Sequence, residues 1–357
     1  MSDNLPLVLD LTLPQLQTAL EGLDAPGYRA KQLWQGIYRQ FWENASEFTN
    51  FPKAFREELA EKFRFSALEP IQTLVSADKE TVKTLFRLPD GKPVEAVMMK
   101  YDQRRTLCIS TQSGCAMGCV FCATGQMGFQ RNLTSGEIIE QVLFYARMLR
   151  ESGEQVTNIV IMGMGEPFHN YDATMSAIDR LNHPDGMNLG ERRFTISTVG
   201  LVPAIQRFTA DKRQINLAIS LHAANDQKRS ALLPINRRYP LTTLIPACRE
   251  YVEHTHRRIT FEWALIEGSN DRSEDAVELA NLLKGLLCHV NVIPLNPTKN
   301  FDGKATSRSG ALAFKEALEA KGIPCTIRLR RGIEISAGCG QLAAPMVNGF
   351  GSSVTRV

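Results

Sequence analysis

Gln112-Ser113-Gly114-Cys115-Ala116-Met117-Gly118-Cys119-Val120-Phe121-Cys122-Ala123-Thr124-Gly125 sets three cysteines at spacings of four and three in a glycine-rich loop. Three thiolates so spaced can surround one compact centre. A structural zinc site uses four protein ligands, commonly in two paired arms. No second Cys-x-x-Cys occurs in the chain, and only six His are scattered through it. A four-iron cluster held by three thiolates keeps one iron open to a substrate, and such clusters reach potentials low enough for difficult one-electron reductions.

The loop follows a short strand, Leu107 to Ser110, that begins a repeating pattern. Further strand-like runs lie at Asn158 to Met162, Phe194 to Ser197, Ile215 to Ser220, Ile259 to Leu265 and Val290 to Pro294. Helical stretches such as Ser135 to Leu149 and Glu274 to Leu287 fall between them. Strands alternating with helices predict parallel βαβ units, and six of them suit an open or partial α/β barrel, with its chemistry at the C-terminal strand ends.

Upstream, Leu13, Leu16, Leu20 and then Leu33, Trp34, Ile37, Tyr38 and Phe41 keep helical spacing, so residues 1–70 read as a small helical accessory domain. Residues 71–104 read as a β-hairpin connector, with Thr81 to Phe86 and Val94 to Met99 joined across Pro89-Asp90-Gly91-Lys92. The barrel core is expected over 105–305. A C-terminal extension over 306–357 holds a helix from Arg308 to Lys321, a strand from Pro324 to Leu329 and a Gly-rich tail.

Length, 357 residues, and composition, 43% hydrophobic and 22% charged, exclude a disulfide miniprotein, a fibrous chain and a disordered one. No secretory signal pattern and no apolar run of membrane-spanning length is present, so a cytoplasmic protein without membrane contact is expected. Basic and acidic residues number seven and ten up to position 70, and 34 and 28 beyond it. The positive field belongs to the later part.

Strand ends supply the remaining candidates. Met162-Gly163-Met164-Gly165-Glu166-Pro167 follows the second core strand; its glycines would let backbone approach a ligand, and Glu166 would accept from an ammonium group. Ser197, Ser220-Leu221-His222 and Asn296 stand where strands give way to loops. Singly, each reads equally as a cap or a satisfied polar residue; their shared position points to ligand contact. Cys339, between two glycines, is suited either to chemistry or to a plain exposed loop. Cys108 alternates with Leu107 and Ile109 as a core residue would, and Cys248, Cys288 and Cys325 read as packing residues.

The Cys-x3-Cys-x2-Cys loop after the first barrel strand, with Phe121 before the last cysteine, resembles the radical S-adenosylmethionine (SAM) superfamily. That resemblance implies a partial (β/α)6 barrel with one [4Fe-4S] cluster on Cys115, Cys119 and Cys122. It also implies SAM bound through its amino and carboxylate groups to the open iron and cleaved to a 5′-deoxyadenosyl radical, with Gly165, Glu166, Ser197, Ser220, Leu221, His222 and Asn296 as cofactor contacts. Arg105 to Ser110, Gly125 to Leu133, the Met162 to Pro167 motif, Ile219 to Ala223 and Ala337-Gly338-Cys339-Gly340-Gln341-Leu342 together resemble the RlmN/Cfr family of RNA adenine methyltransferases. One departure is Ser336-Ala337-Gly338 before Cys339, where the family more often has Ala-Ala.

The resemblance implies a division of labour. Cys339 would be methylated by a first SAM, and its methyl, activated with a second SAM, would add to an adenine carbon too electron-poor for polar methylation. Glu95 would be the proton acceptor, although a lone Glu on the strand Val94 to Met99 reads equally as a solvent-facing residue. Cys108 would release the RNA and form a transient disulfide with Cys339. Implied partners are 23S rRNA, tRNA, an electron donor such as flavodoxin or ferredoxin, and a disulfide reductant; a monomer is expected. C2 of adenine is the expected target because the C2-modifying type is the commoner housekeeping form, with C8 the alternative within the family. Outside it stand a glycyl-radical activase, a methylthiotransferase and a non-catalytic Fe-S or zinc RNA-binding protein.

Arg192-Arg193, Lys228-Arg229, Arg237-Arg238, Arg257-Arg258 and Arg328-x-Arg330-Arg331 are pairs fit for phosphate contacts or for a solvated surface. Arg29, Lys31 and Arg39 offer a further basic face on the helical domain.

Overall fold

The computed structural model describes residues 5–328 and 330–343. Leu329 and residues 344–357 of the expected C-terminal extension lie outside the described residues.

Helices α1 (Leu13–Glu21), α2 (Tyr28–Arg39) and α3 (Lys53–Lys62) form the N-terminal part. Thr12 starts α1 with a capping box, its side chain and that of Gln15 each meeting the other's backbone N–H. The stripe Leu33, Trp34, Ile37 and Tyr38 of α2 is buried. Two basic side chains then tie this unit to the barrel: Lys31 pairs with Asp185 at 2.9 Å and Arg39 donates to the Pro184 carbonyl at 2.7 Å, both remaining exposed. Arg29 braces the unit internally, donating to the Asn50 carbonyl at 3.1 Å while lying over the Phe51 ring. From the barrel side, buried Arg180 donates to the Leu9 carbonyl.

Strands β1 (Glu69–Val75), β2 (Thr81–Arg87), β3 (Pro93–Tyr101) and β4 (Arg104–Cys108) are antiparallel neighbours. The hairpin of residues 71–104 thus extends the main sheet rather than linking two bodies. After β4 the chain makes a two-stranded ribbon, β5 (Gln112–Gly114) with β6 (Phe129–Asn132), whose connection is the cysteine loop with the short α4 (Ala123–Gln126). Gly114 stands at φ +71°, and a Cβ there would lie 1.9 Å from the Gly128 carbonyl oxygen, so only glycine closes the ribbon.

The alternating units follow: α5 (Ser135–Glu151), β7 (Asn158–Ile161), α6 (Tyr171–Asn182), β8 (Phe194–Thr198), α7 (Val202–Ala210), β9 (Asn216–Ser220), α8 (Asp226–Leu232), α9 (Leu241–Thr255), β10 (Ile259–Leu265), α10 (Ser273–Leu283), β11 (Cys288–Pro294), α11 (Arg308–Glu319) and β12 (Cys325–Ile327). The sheet runs β1-β2-β3-β4-β7-β8-β9-β10-β11-β12, parallel from β4 onward and not closed on itself. Helix α10 stops four residues short of the expected Leu287, with Gly285 at φ +75° just beyond it, the left-handed turn that ends helices.

Each parallel strand has two different faces. Ile159, Ile161, Phe194, Ile196, Leu217, Ile219, Phe261, Val290 and Val292 are buried in the apolar core. The alternate positions, Val160, Ser197, Ser220, Glu262 and Ile293, line a cavity on the other face. Parallel strands buried on both faces commonly read as continuous apolar runs; here the polar alternation provides a lined interior.

Candidate active site

One cavity at the C-terminal ends of the parallel strands gathers most of the residues singled out above. Its wall takes Cys108 from β4, Gly165 and Glu166 after β7, Ser197 from β8, Ser220 and His222 from the end of β9, Glu262 from β10 and Asn296 after β11. Cys115, Cys119 and Cys122 line it from the β5–β6 connection, and Cys339 lines it from the C-terminal segment. Two stretches more than 200 residues apart in sequence therefore meet over one opening.

The three loop thiols suit a cluster. Burial holds all three in their protonated range when no metal is bound, and Cys115 is pushed up to about 12. Among the described residues no three His, Cys, Asp or Glu side chains converge to hold a single metal ion. Three thiols on one loop of the cavity wall are the donor set that an iron–sulfur cluster with one open iron takes. Phe121 packs edge-on to His222, ring centroids 4.9 Å apart, and braces the loop against β9.

Around the cluster loop the polar groups are held fast. Glu166 is buried, and its carboxylate accepts from the Phe168 N–H at 3.0 Å and the Val199 N–H at 2.9 Å; burial lifts its pKa to about 7. Ser197 and Ser220 hydroxyls lie 3.2 Å apart. His222 stands at φ +59°; its Nδ1 accepts from the Ala264 N–H at 2.9 Å, so the neutral ring carries its proton on Nε2, and burial beside Arg229 lowers its pKa to about 3.

The glycines after β7 line the cavity and also make room for the protein itself: a Cβ on Gly163 would meet the Ile109 carbonyl oxygen at 2.7 Å, and one on Gly165 would meet Gln112 Cβ at 2.5 Å. One expectation changes here. Leu221 does not reach the cavity. It is fully buried, its N–H donates to the Glu262 carbonyl at 3.0 Å, and its own carbonyl accepts from Arg229 at 3.1 Å.

Cys108 and Cys339 face the same space as free thiols, Cys108 buried and Cys339 exposed. Burial, and secondarily the nearby Cys339, push the Cys108 thiol up to about 12, while the Arg328 guanidinium opposes the rise. The Cys339 carbonyl accepts from Asn296 Nδ2 at 3.0 Å. Gly340 and Leu342 carbonyls accept from Ala123 N–H at 2.8 Å and Thr124 Oγ1 at 2.6 Å, docking the segment on the cluster loop. Glu95 stands off this wall. It is buried and ion-paired with Lys83 at 2.9 Å, and its second oxygen accepts from the Ala343 N–H at 3.0 Å.

Sequence reasoning missed Glu262 and Lys83. Glu262 stands in the largely apolar run Ile259 to Leu265, a signal that could have found it; Lys83, among Thr81, Thr84 and Arg87, gave none. Glu262 is 5% exposed; one of its oxygens accepts from Asn291 at 3.0 Å, and the other has no hydrogen-bond partner among the described residues. Arg328, whose sequence suits a phosphate contact or a solvated surface, lines the cavity 3.9 Å from Glu262. Arg229 is not placed to touch RNA. It is fully buried, donating to the Val199 carbonyl at 2.7 Å and to Asn236 Oδ1 at 2.6 Å, because the ends of β8 and β9 turn their carbonyls toward it. Arg192, Arg193, Arg237, Arg238, Arg258 and Arg330 remain exposed.

Comparison with known proteins agrees with this arrangement. A family model described as the radical SAM superfamily matches residues 109–280, and one described as the ribosomal RNA large subunit methyltransferase N-terminal domain matches residues 7–64. The dual-specificity RNA methyltransferase RlmN 1 of Myxococcus xanthus is 49% identical, with 96% of each chain covered. A probable dual-specificity RNA methyltransferase RlmN of Chloroflexus aurantiacus is 46% identical over 94% of this chain and 92% of its own. The crystal structure of a radical SAM methyltransferase from Sphaerobacter thermophilus superposes with a TM-score of 0.94 at 51% identity, covering 95% of this chain and 99% of that one. A helical N-terminal unit, a cysteine loop on an open barrel and near full-length similarity lead to one assignment: the chain belongs to the RlmN family of radical SAM RNA methyltransferases.

Proposed function

We propose that this enzyme methylates C2 of adenine, at adenosine 2503 of 23S rRNA and adenosine 37 of tRNA, with Cys339 as the methyl carrier and Cys108 as the resolving thiol. The observation that carries the reading is the shared cavity: Cys339, Cys108 and the three loop cysteines open onto one space at the strand ends. Cys115, Cys119 and Cys122 would hold a [4Fe-4S] cluster, which when bound supplies the electron that cleaves SAM to a 5′-deoxyadenosyl radical. Glu166, Ser197, Ser220, His222 Nε2 and Asn296 supply acceptors and donors for the polar ends of SAM.

The chain's own residues do the rest. Cys339 sulfur, its thiol proton lost, attacks the methyl carbon of one SAM, displaces S-adenosylhomocysteine and carries the methyl as a thioether. Transfer of a hydrogen atom from that methyl to the 5′-deoxyadenosyl radical gives 5′-deoxyadenosine and leaves a carbon radical on Cys339, which adds to the adenine ring. When the ring has lost its proton and the adduct its extra electron, which the cluster held by the three loop cysteines would accept, Cys108 sulfur attacks Cys339 sulfur. The S–CH2 bond breaks, the carbon keeps the pair and takes a proton, and a Cys108–Cys339 disulfide remains for an external dithiol to reduce. Two SAM are consumed per methyl delivered. In the arrangement seen here, Glu95 would take the ring proton only after giving up Lys83 and Ala343. An electron donor of the flavodoxin or ferredoxin kind and a disulfide reductant complete the cycle. The exposed Arg192, Arg237 and Arg330 suit RNA phosphates.

The test is nucleoside mass spectrometry of 23S rRNA and tRNA from a host lacking its own enzyme, with and without this chain. 2-Methyladenosine in both RNAs supports the reading. 8-Methyladenosine, or neither product, overturns it.

A further inference from the structure

The segment that carries Cys339 is fastened to the antiparallel hairpin by a buried ion pair. Lys83 on β2 and Glu95 on β3 are diagonal cross-strand neighbours, because Lys83 registers with Val97 and Leu85 with Glu95. Their side chains are 9% and 3% exposed, with Nζ and Oε1 2.9 Å apart. The second contact of each residue runs to the backbone around Cys339. Lys83 Nζ donates to the Ser336 carbonyl at 3.3 Å, three residues before the cysteine, and Glu95 Oε2 accepts from the Ala343 N–H at 3.0 Å, four residues after it.

Energetics favour a purpose beyond stability. Desolvating two charges costs several kcal/mol per ion, and well-packed apolar residues in place of such a pair are commonly as stable or more so. Val82, Leu85, Val94 and Val97 show that these strands already bury apolar side chains. The pair does what an apolar pair cannot: it satisfies one carbonyl and one N–H on opposite sides of Cys339. Flanking contacts run the same way. Glu334 accepts from the Ala77 N–H at 3.2 Å, and Arg331 pairs with Glu80 while lying 4.6 Å over the Tyr101 ring.

We propose that Lys83 and Glu95 are positioning residues that clamp the Cys339 segment from both sides and so fix its sulfur over the cavity toward Cys108. The proposal rests on the reading of Cys339 as methyl carrier. Lys83 is the informative partner, because a loss of turnover in a Glu95 variant would follow equally from a role as proton acceptor.

The experiment compares Lys83→Met, Lys83→Arg and Glu95→Gln with the wild-type enzyme, all reconstituted with iron and sulfide under anaerobic conditions. Hydrogen–deuterium exchange of the peptide spanning residues 333–343 is the primary readout, alongside iron content, kcat and the KM for SAM. Lys83→Met should speed exchange of that peptide at least tenfold, leave iron content and KM within twofold, and lower kcat at least tenfold. Lys83→Arg, which keeps a donor and the charge, should recover most of kcat. Glu95→Gln keeps an acceptor for the Ala343 N–H and should speed exchange less than Lys83→Met; it carries the test if Lys83→Met fails to fold. Exchange within twofold of wild type in both Lys83→Met and Glu95→Gln overturns the clamp, as does faster exchange spread over the whole β2–β3 hairpin. The carrier reading fails separately, if a Cys339→Ala enzyme turns over, and the exchange result judges the clamp either way.

Discussion

Arg229→Met separates a structural guanidinium from an RNA contact. Arg229 sits beside Lys228 as a basic pair that would suit phosphate, yet it is fully buried and its donors meet the carbonyls of Leu221 and Val199, the Asn236 side chain and, at 3.3 Å, the Ser220 carbonyl. The Leu221 carbonyl keeps another donor, the Ala223 N–H at 2.8 Å. Val199 and Asn236 Oδ1 would be left without the charged donor. Orphaning a buried acceptor costs about 2 kcal/mol, so the pair gives about 4 kcal/mol. Met fills much of the volume, and the packing loss adds little. For a chain of this size that predicts a Tm drop of about 5 °C. Because Val199, Ser220 and Leu221 form the β8 and β9 strand ends, the KM for SAM should rise several-fold as well. Calorimetry of the metal-free protein reads the first effect, and RNA binding across a salt series reads the alternative. An unchanged Tm together with a shallower salt dependence would refute the internal role and restore Arg229 as a phosphate contact.

Cys108→Ala should retain methylation of Cys339 and stall with RNA covalently attached to the protein, lowering turnover at least a hundredfold; gel electrophoresis after nuclease-free denaturation shows the adduct, and free methylated RNA at the wild-type rate contradicts it. Cys119→Ser should lose the iron–sulfur absorbance while the apo fold keeps its far-ultraviolet circular dichroism. Glu140 accepts from Ser66 and from the Ala67 N–H at 2.7 Å where the helical part joins the sheet, and burial raises its pKa to about 7. The folded state therefore binds a proton the unfolded chain lacks between about pH 4.5 and 7, so this group's contribution to stability falls by about 3 kcal/mol as pH rises through that window. Glu140→Gln should flatten that pH dependence, measured as Tm against pH, leaving the part that Glu166 contributes with its pKa of about 7; a variant whose profile parallels wild type rules the assignment out.

Some of this was legible in the chain and some was not, for physical reasons. The cysteine loop and the strand-end motifs are contiguous stretches whose spacing is itself the geometry, so Cys115, Cys119, Cys122, Glu166, Ser197, Ser220, His222 and Asn296 could be placed on one rim before any fold was seen. That Cys108 and Cys339 share that rim came from a family resemblance, because nothing local links two positions so far apart. Charge was the least legible property. Lys31, Arg39 and Arg229 look like any surface cation in sequence, and only the folded chain shows which carbonyls turn toward them. Glu95 and Lys83 show the same difficulty from the other side, since a charged residue on a strand is ordinarily solvated and here two such residues bury each other. The β5 and β6 strands are three and four residues long, too short for a period to register. The seventh parallel strand, β12, joined the sheet as an edge that six βαβ units did not require.

The account turns on Cys339 as a methyl carrier, and trideuteromethyl-labelled SAM tests it most directly. The reconstituted enzyme would be given labelled SAM and RNA, the Cys339 peptide analysed by mass spectrometry, and the product nucleoside scored for deuterium. The account predicts a trideuteromethyl group on Cys339 and a methyladenosine that retains two of the three deuterium atoms, since one is removed when the carrier carbon becomes a radical. An unlabelled Cys339 with all three deuterium atoms in the product would show direct transfer from SAM and contradict it.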